Sequence, residues 1–321
     1  MARQNAKVPQ EFWSSYIVEK LRKDNPHINL CYDESQFVKG GAVVYIPQAG
    51  TSPGVVKNRD TFPAAVSKRK DSAILYALDD FSTNPTHMPW AEGMEISYDK
   101  MDSVLRDHVA TLSEAVGDEM IYNWVRGFKP TTSGGTTAEF LPVSRQIATS
   151  GAATAVNSDD GQTGTRKALH YKDLQKAQAK MNKDGVPKLN RYAMLESNML
   201  QEFIDSLSSN QMAAFQASAD LKNGIVGTFA GFTILERSSV LAFNATTNEP
   251  IVPGQALSGT DNLGCLLWQK DCVTKAEGDI ELFQELGNPI YYGDIYSGIV
   301  KMGGRCRRED WKGVLAIVQK A

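Results

Sequence analysis

The side chains that could do chemistry are few and far apart. Four histidines stand in unrelated settings: His27 after the turn-forming Asn25-Pro26, His87 in TNPTHMPW, His108 inside a helical pattern and His170 at the start of another. General acid–base or nucleophilic catalysis would need one of them beside a suitable partner, yet neither G-x-S-x-G nor H-E-x-x-H occurs. Cys31, Cys265, Cys272 and Cys306 form no C-x-x-C pair and have no histidine at metal-ligand spacing, so they read as reduced, packed thiols. Phosphate cradles of the G-x-x-x-x-G-K-[ST] or G-x-G-x-x-G type are absent. Gly224, Gly227 and Gly231 lie among strand formers, where tight turns and close packing explain them. The acid pairs Asp159-Asp160, Glu281 with Glu285, and Glu309-Asp310 sit in polar segments and read as solvated rather than as acid–base or metal groups. Arg305, Arg307 and Arg308, answered by Glu309 and Asp310, read as a local ion-pair network or an intersubunit contact, with a phosphate site as the alternative. No catalytic, cofactor or metal residue is assigned, and the chain is read as not an enzyme.

Composition narrows the remaining classes. The chain has 321 residues, 42% hydrophobic and 22% charged, which suits a soluble chain with a sizeable core and excludes small disulfide scaffolds and disordered chains. Lys and Arg number 34 against 37 Asp and Glu, a formal net charge of -3. A protein that grips nucleic acid by its phosphates needs a basic excess, so that role is not expected. The first residues, MARQNAKVPQEFW, contain no apolar stretch, and no run approaches a membrane span of about 20 residues, so a cytosolic, soluble chain is expected.

The elements that would position these residues follow from periodicity. Phe12, Tyr16, Ile17 and Leu21 predict a short amphipathic helix over Val8 to Asp24. FVKGGAVVYIPQAG and SAILYAL predict two strands joined by TSPGVVKNRDTFPAAVSKRK, a two-stranded arm with an irregular, basic tip. Such a hairpin is marginal in water and needs a surface to lie on. Met101, Leu105, Val109, Leu112, Val116, Met120 and Trp124 recur every three or four residues, predicting a helix from an N-cap at Ser97 to Val125, about 43 Å long. A Gly-, Ser- and Thr-rich loop region follows Gly127. Then come a polar helix in HYKDLQKAQAKMNKDGVP with Gly185 as C-cap, a buried strand RYAMLES, and short helices in MLQEFIDSL and NQMAAFQASADL. The last hundred residues are strand-like, with glycine-punctuated strands in NGIVGTFAGFTILERSSVL, a turn at Gly303-Gly304 and a closing strand WKGVLAIVQ. The fold class is α+β. A chain of this size with no common catalytic constellation, and an arm that it cannot bury alone, reads as built to contact copies of itself.

The order of these features resembles the major capsid proteins of tailed bacteriophages, the Hong Kong 97-type capsid fold. PWAEGMEISYDKMDSVLRDHVATLSEAVGDEMIYNW is similar to the start of that family's spine helix. LLWQKDCVTKAEGDIELFQELGNPIYYGDIYSGIVKMGGRCRRED with GVLAIVQ is similar to its terminal part. The resemblance implies an N-terminal arm (1–35), an extended loop (36–80) and a peripheral domain (81–222) with the spine helix at 97–125. An axial domain (about 223–284) and C-terminal strands returning to the subunit body (285–321) complete it. It implies assembly through pentamers and hexamers into an icosahedral shell around double-stranded DNA, each extended loop lying across a neighbour. Lys57, Arg59, Lys68, Arg69 and Lys70 at the loop tip then become candidate intersubunit contacts beside Arg305, Arg307 and Arg308. The implied partners are further copies of the chain, a separate scaffolding protein, a portal protein and decoration proteins, with only weak non-specific contact to packaged DNA, no membrane and no cofactor. The implied location is the virion capsid, assembled in the host cytoplasm. An encapsulin-type cargo shell and a cytosolic α+β enzyme with an unrecognised site are the alternative readings.

Overall fold

The computed structural model describes residues 25–37, 43–50, 52–64, 66, 68–89, 100–130, 136–155, 162–220, 224–278 and 280–320. The helix expected over Val8 to Asp24, the Ser97 cap and the pair Asp159-Asp160 lie outside them.

A seven-stranded mixed sheet holds the centre. Its order is Ile225–Phe229, Phe232–Arg237, Arg191–Glu196, Asn262–Gln269, Val314–Val318 and Gln146–Ala148, with Leu241–Phe243 also paired to Asn262–Gln269. Strand alternation sends side chains to both faces, and here both faces are covered. Leu266, Trp268, Val314 and Ala316 enter one core, whereas Cys265, Leu267, Leu315 and Ile317 enter the other. That double burial is why CLLW and VLAIV read as unbroken apolar runs. Helix α1 (Lys100–Val125) closes the first core with Leu112, Val116, Met120 and Trp124. Helices α2 (Tyr171–Lys183), α3 (Ser197–Ser206) and α4 (Ser209–Gln216) close the second with Leu174, Ala177, Met181, Phe203 and Phe215. The expected helix end at Gly185 is present, with φ +73 beyond the α2 cap. Strands from 81–222, 223–284 and 285–321 all enter this one sheet.

Helix α1 has 26 residues, a length of about 39 Å. Its second half is buried in the core, while Leu105 and Val109 in its first half are half-buried. There it lies on a six-stranded sheet built round one strand, Gly293–Cys306, which pairs with Glu281–Asn288, Val273–Glu277, Asp79–Ser82 and Thr86–Pro89. Tyr32–Asp33 adds a parallel edge beside Val273–Glu277.

The turn expected at Gly303-Gly304 does not exist: both glycines are buried inside that 14-residue strand. A Cβ at Gly304 would come 2.6 Å from Met120 Sδ and 2.7 Å from the Thr274 carbonyl oxygen. At Gly303 it would come 2.7 Å from the Ala77 carbonyl oxygen. The pair lets the spine helix and neighbouring backbone approach the strand, and the chain reverses instead at Pro289–Tyr292.

The extended loop begins as expected, with Val43–Gln48 antiparallel to Ser72–Ala77, but two further strands join it. Arg126–Pro130 pairs with Ser72–Ala77 at Leu75 and Phe128, and Thr136–Phe140 pairs with Arg126–Pro130, making a four-stranded sheet. Val44, Ile46, Ile74 and Tyr76 pack with Ala276 of the body in a small core of their own.

Candidate interaction surfaces

The residue types that could carry catalysis are each absorbed by structure. Burial pushes the Cys31 and Cys306 thiols up to about 12 and Cys272 to about 11, and raises Cys265 further. None is a reactive thiolate at neutral pH. His170 caps α2, its Nδ1 accepting from Lys172 N at 3.2 Å while Asp173 accepts from His170 N at 3.2 Å. His108 Nδ1 lies 2.8 Å from Thr83 Oγ1, which itself accepts from Gly298 N, so it ties the spine helix to the sheet. His27 is fully buried, with Nε2 3.0 Å from the Gly117 carbonyl oxygen and its ring edge-on to Trp124. Gly224 and Gly231 adopt left-handed φ of +72 and +75, and a Cβ at Gly227 would overlap Phe215. Among the described residues no group of three His, Cys, Asp or Glu could hold a metal ion, and no helix is long and apolar enough to cross a membrane.

The arginine cluster divides. Arg305 is 2% exposed and its Nη1 donates to the Leu75 and Phe128 carbonyls at 2.8 and 3.0 Å. It joins the loop strand, the strand after α1 and the long strand, so it is not at the surface that an intersubunit contact requires. Burial also lowers its affinity for the proton. Arg307 stacks 3.9 Å from the Tyr32 ring and its Nε lies 3.2 Å from Glu34 Oε1. Glu34 Oε2 accepts from the Tyr76 hydroxyl at 3.0 Å, and the Arg307 carbonyl accepts from Gln48 Nε2 at 2.8 Å. Arg308 pairs with Asp310 at 2.9 Å, and Asp310 with Lys312 at 3.2 Å, which holds the Asp310 carboxyl well below the usual range. The cluster is mostly a clamp that fixes the base of the extended loop to the body. Arg308–Asp310 is the local ion pair that the sequence announces, but nothing local announces the clamp, because Leu75 and Phe128 around Arg305, and Tyr32, Glu34 and Gln48 around Arg307, lie more than 170 residues away in sequence.

The loop tip is different. Lys57, Arg59, Lys68, Arg69 and Lys70 are all exposed, and of these only Arg69 has an ion pair among the described residues, to Asp71 at 2.7 Å. Val55, Val56, Phe62 and Val66 are exposed beside them. A second exposed apolar set, which sequence reasoning missed, occupies the far hairpin: Leu282, Phe283, Leu286, Ile290, Tyr291 and Tyr292. Its signal was available as apolar residues in a strand rich in acids.

No family model and no curated protein matches this sequence. Solved structures do match over nearly its whole length. The capsid of Ralstonia phage GP4 shares 13% identity at a TM-score of 0.66, covering 100% of this chain and 97% of that one. The capsid asymmetric unit of cyanophage Pam1 shares 11% at 0.67, covering 100% and 98%. A Mycobacterium phage Che8 chain shares 16% at 0.62, covering 98% of each. The chain thus has the α+β fold of these phage capsid structures, the Hong Kong 97-type fold that its sequence resembles.

Proposed function

We propose that this chain is the major capsid protein of a bacteriophage, assembling through pentamers and hexamers into an icosahedral shell around double-stranded DNA. The observation that carries the reading is the match of the whole chain, loop and spine helix included, to phage capsid structures at 97 to 98% of their own length. The subunit also presents two exposed apolar projections, and monomeric proteins seldom expose such sets without a partner. The role is structural rather than enzymatic. Lys57, Arg59, Lys68, Arg69 and Lys70 face neighbouring subunits, with Arg307 and Arg308 at the loop base. The N-terminal arm, peripheral domain, axial domain and C-terminal strands keep the boundaries given above. A separate scaffolding protein, a portal protein and decoration proteins complete the partners. Assembly takes place in the host cytoplasm and the product resides in the virion, where a subunit of net charge -3 makes a wall that does not hold the duplex.

The test is purification of the chain, alone and with its scaffolding protein, followed by light scattering and electron microscopy of the product. Closed shells of uniform diameter are expected. A chain that stays monomeric or dimeric under both conditions overturns the reading, and shells that enclose a protein cargo instead of DNA in infected cells would favour the encapsulin-type alternative.

A further inference from the structure

Helix α2 buries Leu174, Ala177 and Met181 in the second core and turns its other side outward. At about 100° per residue, Lys172, Lys176, Lys180 and Lys183 fall within an arc of about 80° on that outer side. They form a stripe that runs roughly 17 Å along the helix axis. Between 171 and 188 the chain has five lysines, two aspartates and no other charged residue, which makes this segment +3 in a chain of net charge -3.

Helix stability explains only half of the stripe. Lys180 and Lys183 stand in the last turn, where cations suit the negative end of the helix. Lys172 stands in the first turn, where the same dipole opposes it. Asp173 beside it is fully buried and accepts from Ser150 N, Ser150 Oγ and His170 N. Lys176 reaches Asp173 at 2.8 Å but keeps 54% of its side chain exposed. Asp184 is matched by Arg145, and Lys180 donates to the Ser144 carbonyl. Lys172 and Lys183 are exposed with no ion pair among the described residues.

The character of the stripe selects its partner. The residues exposed beside the lysines are Gln175, Ala179 and Asn182, and no large apolar residue of the helix is exposed. Protein interfaces concentrate aromatic residues, Met and Arg and are poor in Lys. The loop tip, which sets Val55, Val56, Phe62 and Val66 beside its cations, has the mixed surface that suits a protein partner, and α2 does not. A convex face encloses no small anion, but a row of flexible point charges fits a polyanion recognised by charge alone. One strand of a DNA duplex presents a phosphate every 3.4 Å or so along the axis, so the stripe spans about five of them.

We propose that the outer face of α2, through Lys172, Lys176, Lys180 and Lys183, is the surface with which the subunit touches packaged double-stranded DNA. This rests on the shell reading above and names the face that the duplex meets. Contacts this few leave the binding weak and steep in salt, so the duplex is touched rather than held.

The test measures binding of the dissociated full-length subunit to a labelled duplex of mixed sequence by fluorescence anisotropy, at salt from about 0.05 to 0.2 M. K172E/K183E leaves the Lys176 and Lys180 contacts in place, and K68E/K70E removes the same charge at the loop tip. Thermal unfolding checks that both variants keep the fold, and K172R/K183R keeps the charge of the stripe. Wild type should show a slope of log affinity against log salt of about -3, each phosphate contributing about -0.9. K172E/K183E should flatten that slope by about 2 and lose at least ten-fold in affinity at about 0.1 M salt, where screening acts beyond roughly 10 Å. K68E/K70E and K172R/K183R should stay within about two-fold of wild type. No measurable binding by wild type, unchanged binding by K172E/K183E, or an equal loss in K68E/K70E overturns the proposal. A K172E/K183E variant that binds duplex like wild type but no longer assembles with its scaffolding protein also overturns it and assigns the face to an acidic protein segment. Light scattering of wild type reads the shell separately: no closed shell removes the shell reading and the packaged duplex with it, whereas shells without the difference in duplex binding remove only the assignment of this face.

Discussion

The sharpest consequence of the core concerns His27 and acid. Its ring is fully buried against Trp124, with centroids 5.7 Å apart, and Nε2 reaches the Gly117 carbonyl oxygen on the spine helix. Nδ1 is buried with no hydrogen-bond partner. The charged groups facing it are Arg237 and Asp118, themselves ion-paired, and the Asn25 carboxamide accepts from the Arg237 guanidinium at 2.9 Å. Burial first, and then Arg237, hold the imidazole down from 6.5 to about 3. The sign follows from proton counting. Below pH 6.5 the unfolded chain binds a proton that the folded chain refuses until about pH 3, so stability is intact above the unfolded value and falls with pH through that window. At 1.36 kcal/mol per pH unit the loss is about 2 kcal/mol at pH 5 and approaches ~5 kcal/mol near pH 3. Burial raises Glu119 and Glu202, and these contribute the opposite sign, favouring the native state as pH falls. His27→Gln can still donate to Gly117 and does not titrate. Urea unfolding of the dissociated subunit at pH 7, 6 and 5 should show wild type losing about 2 kcal/mol while His27→Gln loses under about 0.5. Equal losses in the two proteins would refute the reasoning.

Two further outcomes follow from close packing. Gly304→Ala places a Cβ against the Thr274 carbonyl oxygen and Met120, and overpacking of this kind should lower stability by about 1–3 kcal/mol in a thermal melt, with no effect expected if the glycines formed a free turn. Arg305→Met keeps the volume but strands the Leu75 and Phe128 carbonyls, costing about 1–3 kcal/mol for each acceptor left unpaired. Limited proteolysis should then cut the base of the extended loop faster, at unchanged rates elsewhere.

Helix α1 and the strands CLLW and VLAIV were legible because their burial leaves a local trace, a three-to-four spacing in one case and an unbroken apolar run in the others. Gly303-Gly304 was misread because a glycine pair is also the local mark of a turn, and only the tertiary approach of Met120, Thr274 and Ala77 distinguishes the two. The sheet round Gly293–Cys306 was opaque for the same reason. Three of its partners begin at Asp79, Thr86 and Val273, and pairing between such distant segments leaves no pattern in either one; only Glu281–Asn288 pairs locally, across the turn at Pro289–Tyr292.

Arg305 and the 281–299 hairpin mark the two directions in which charge misleads a reader of sequence. An arginine beside two others and two acids has the appearance of surface, yet burial is tolerable because a guanidinium can spread its donors over carbonyls from separate segments, here residues 75 and 128. Phe283 has the appearance of core, yet it lies on the face of the strand opposite Leu282 and Leu112, and a single helix can cover only one of the sheet's faces there. The 14-residue strand Gly293–Cys306 borders both cases, running from the exposed turn at Pro289–Tyr292 to a buried end at Cys306. At about 3.3 Å per residue it spans roughly 46 Å. Because it is continuous, and Arg305 ties its buried end to Leu75 of the loop, a force applied at the hairpin is opposed at the base of the loop rather than absorbed by a hinge between them.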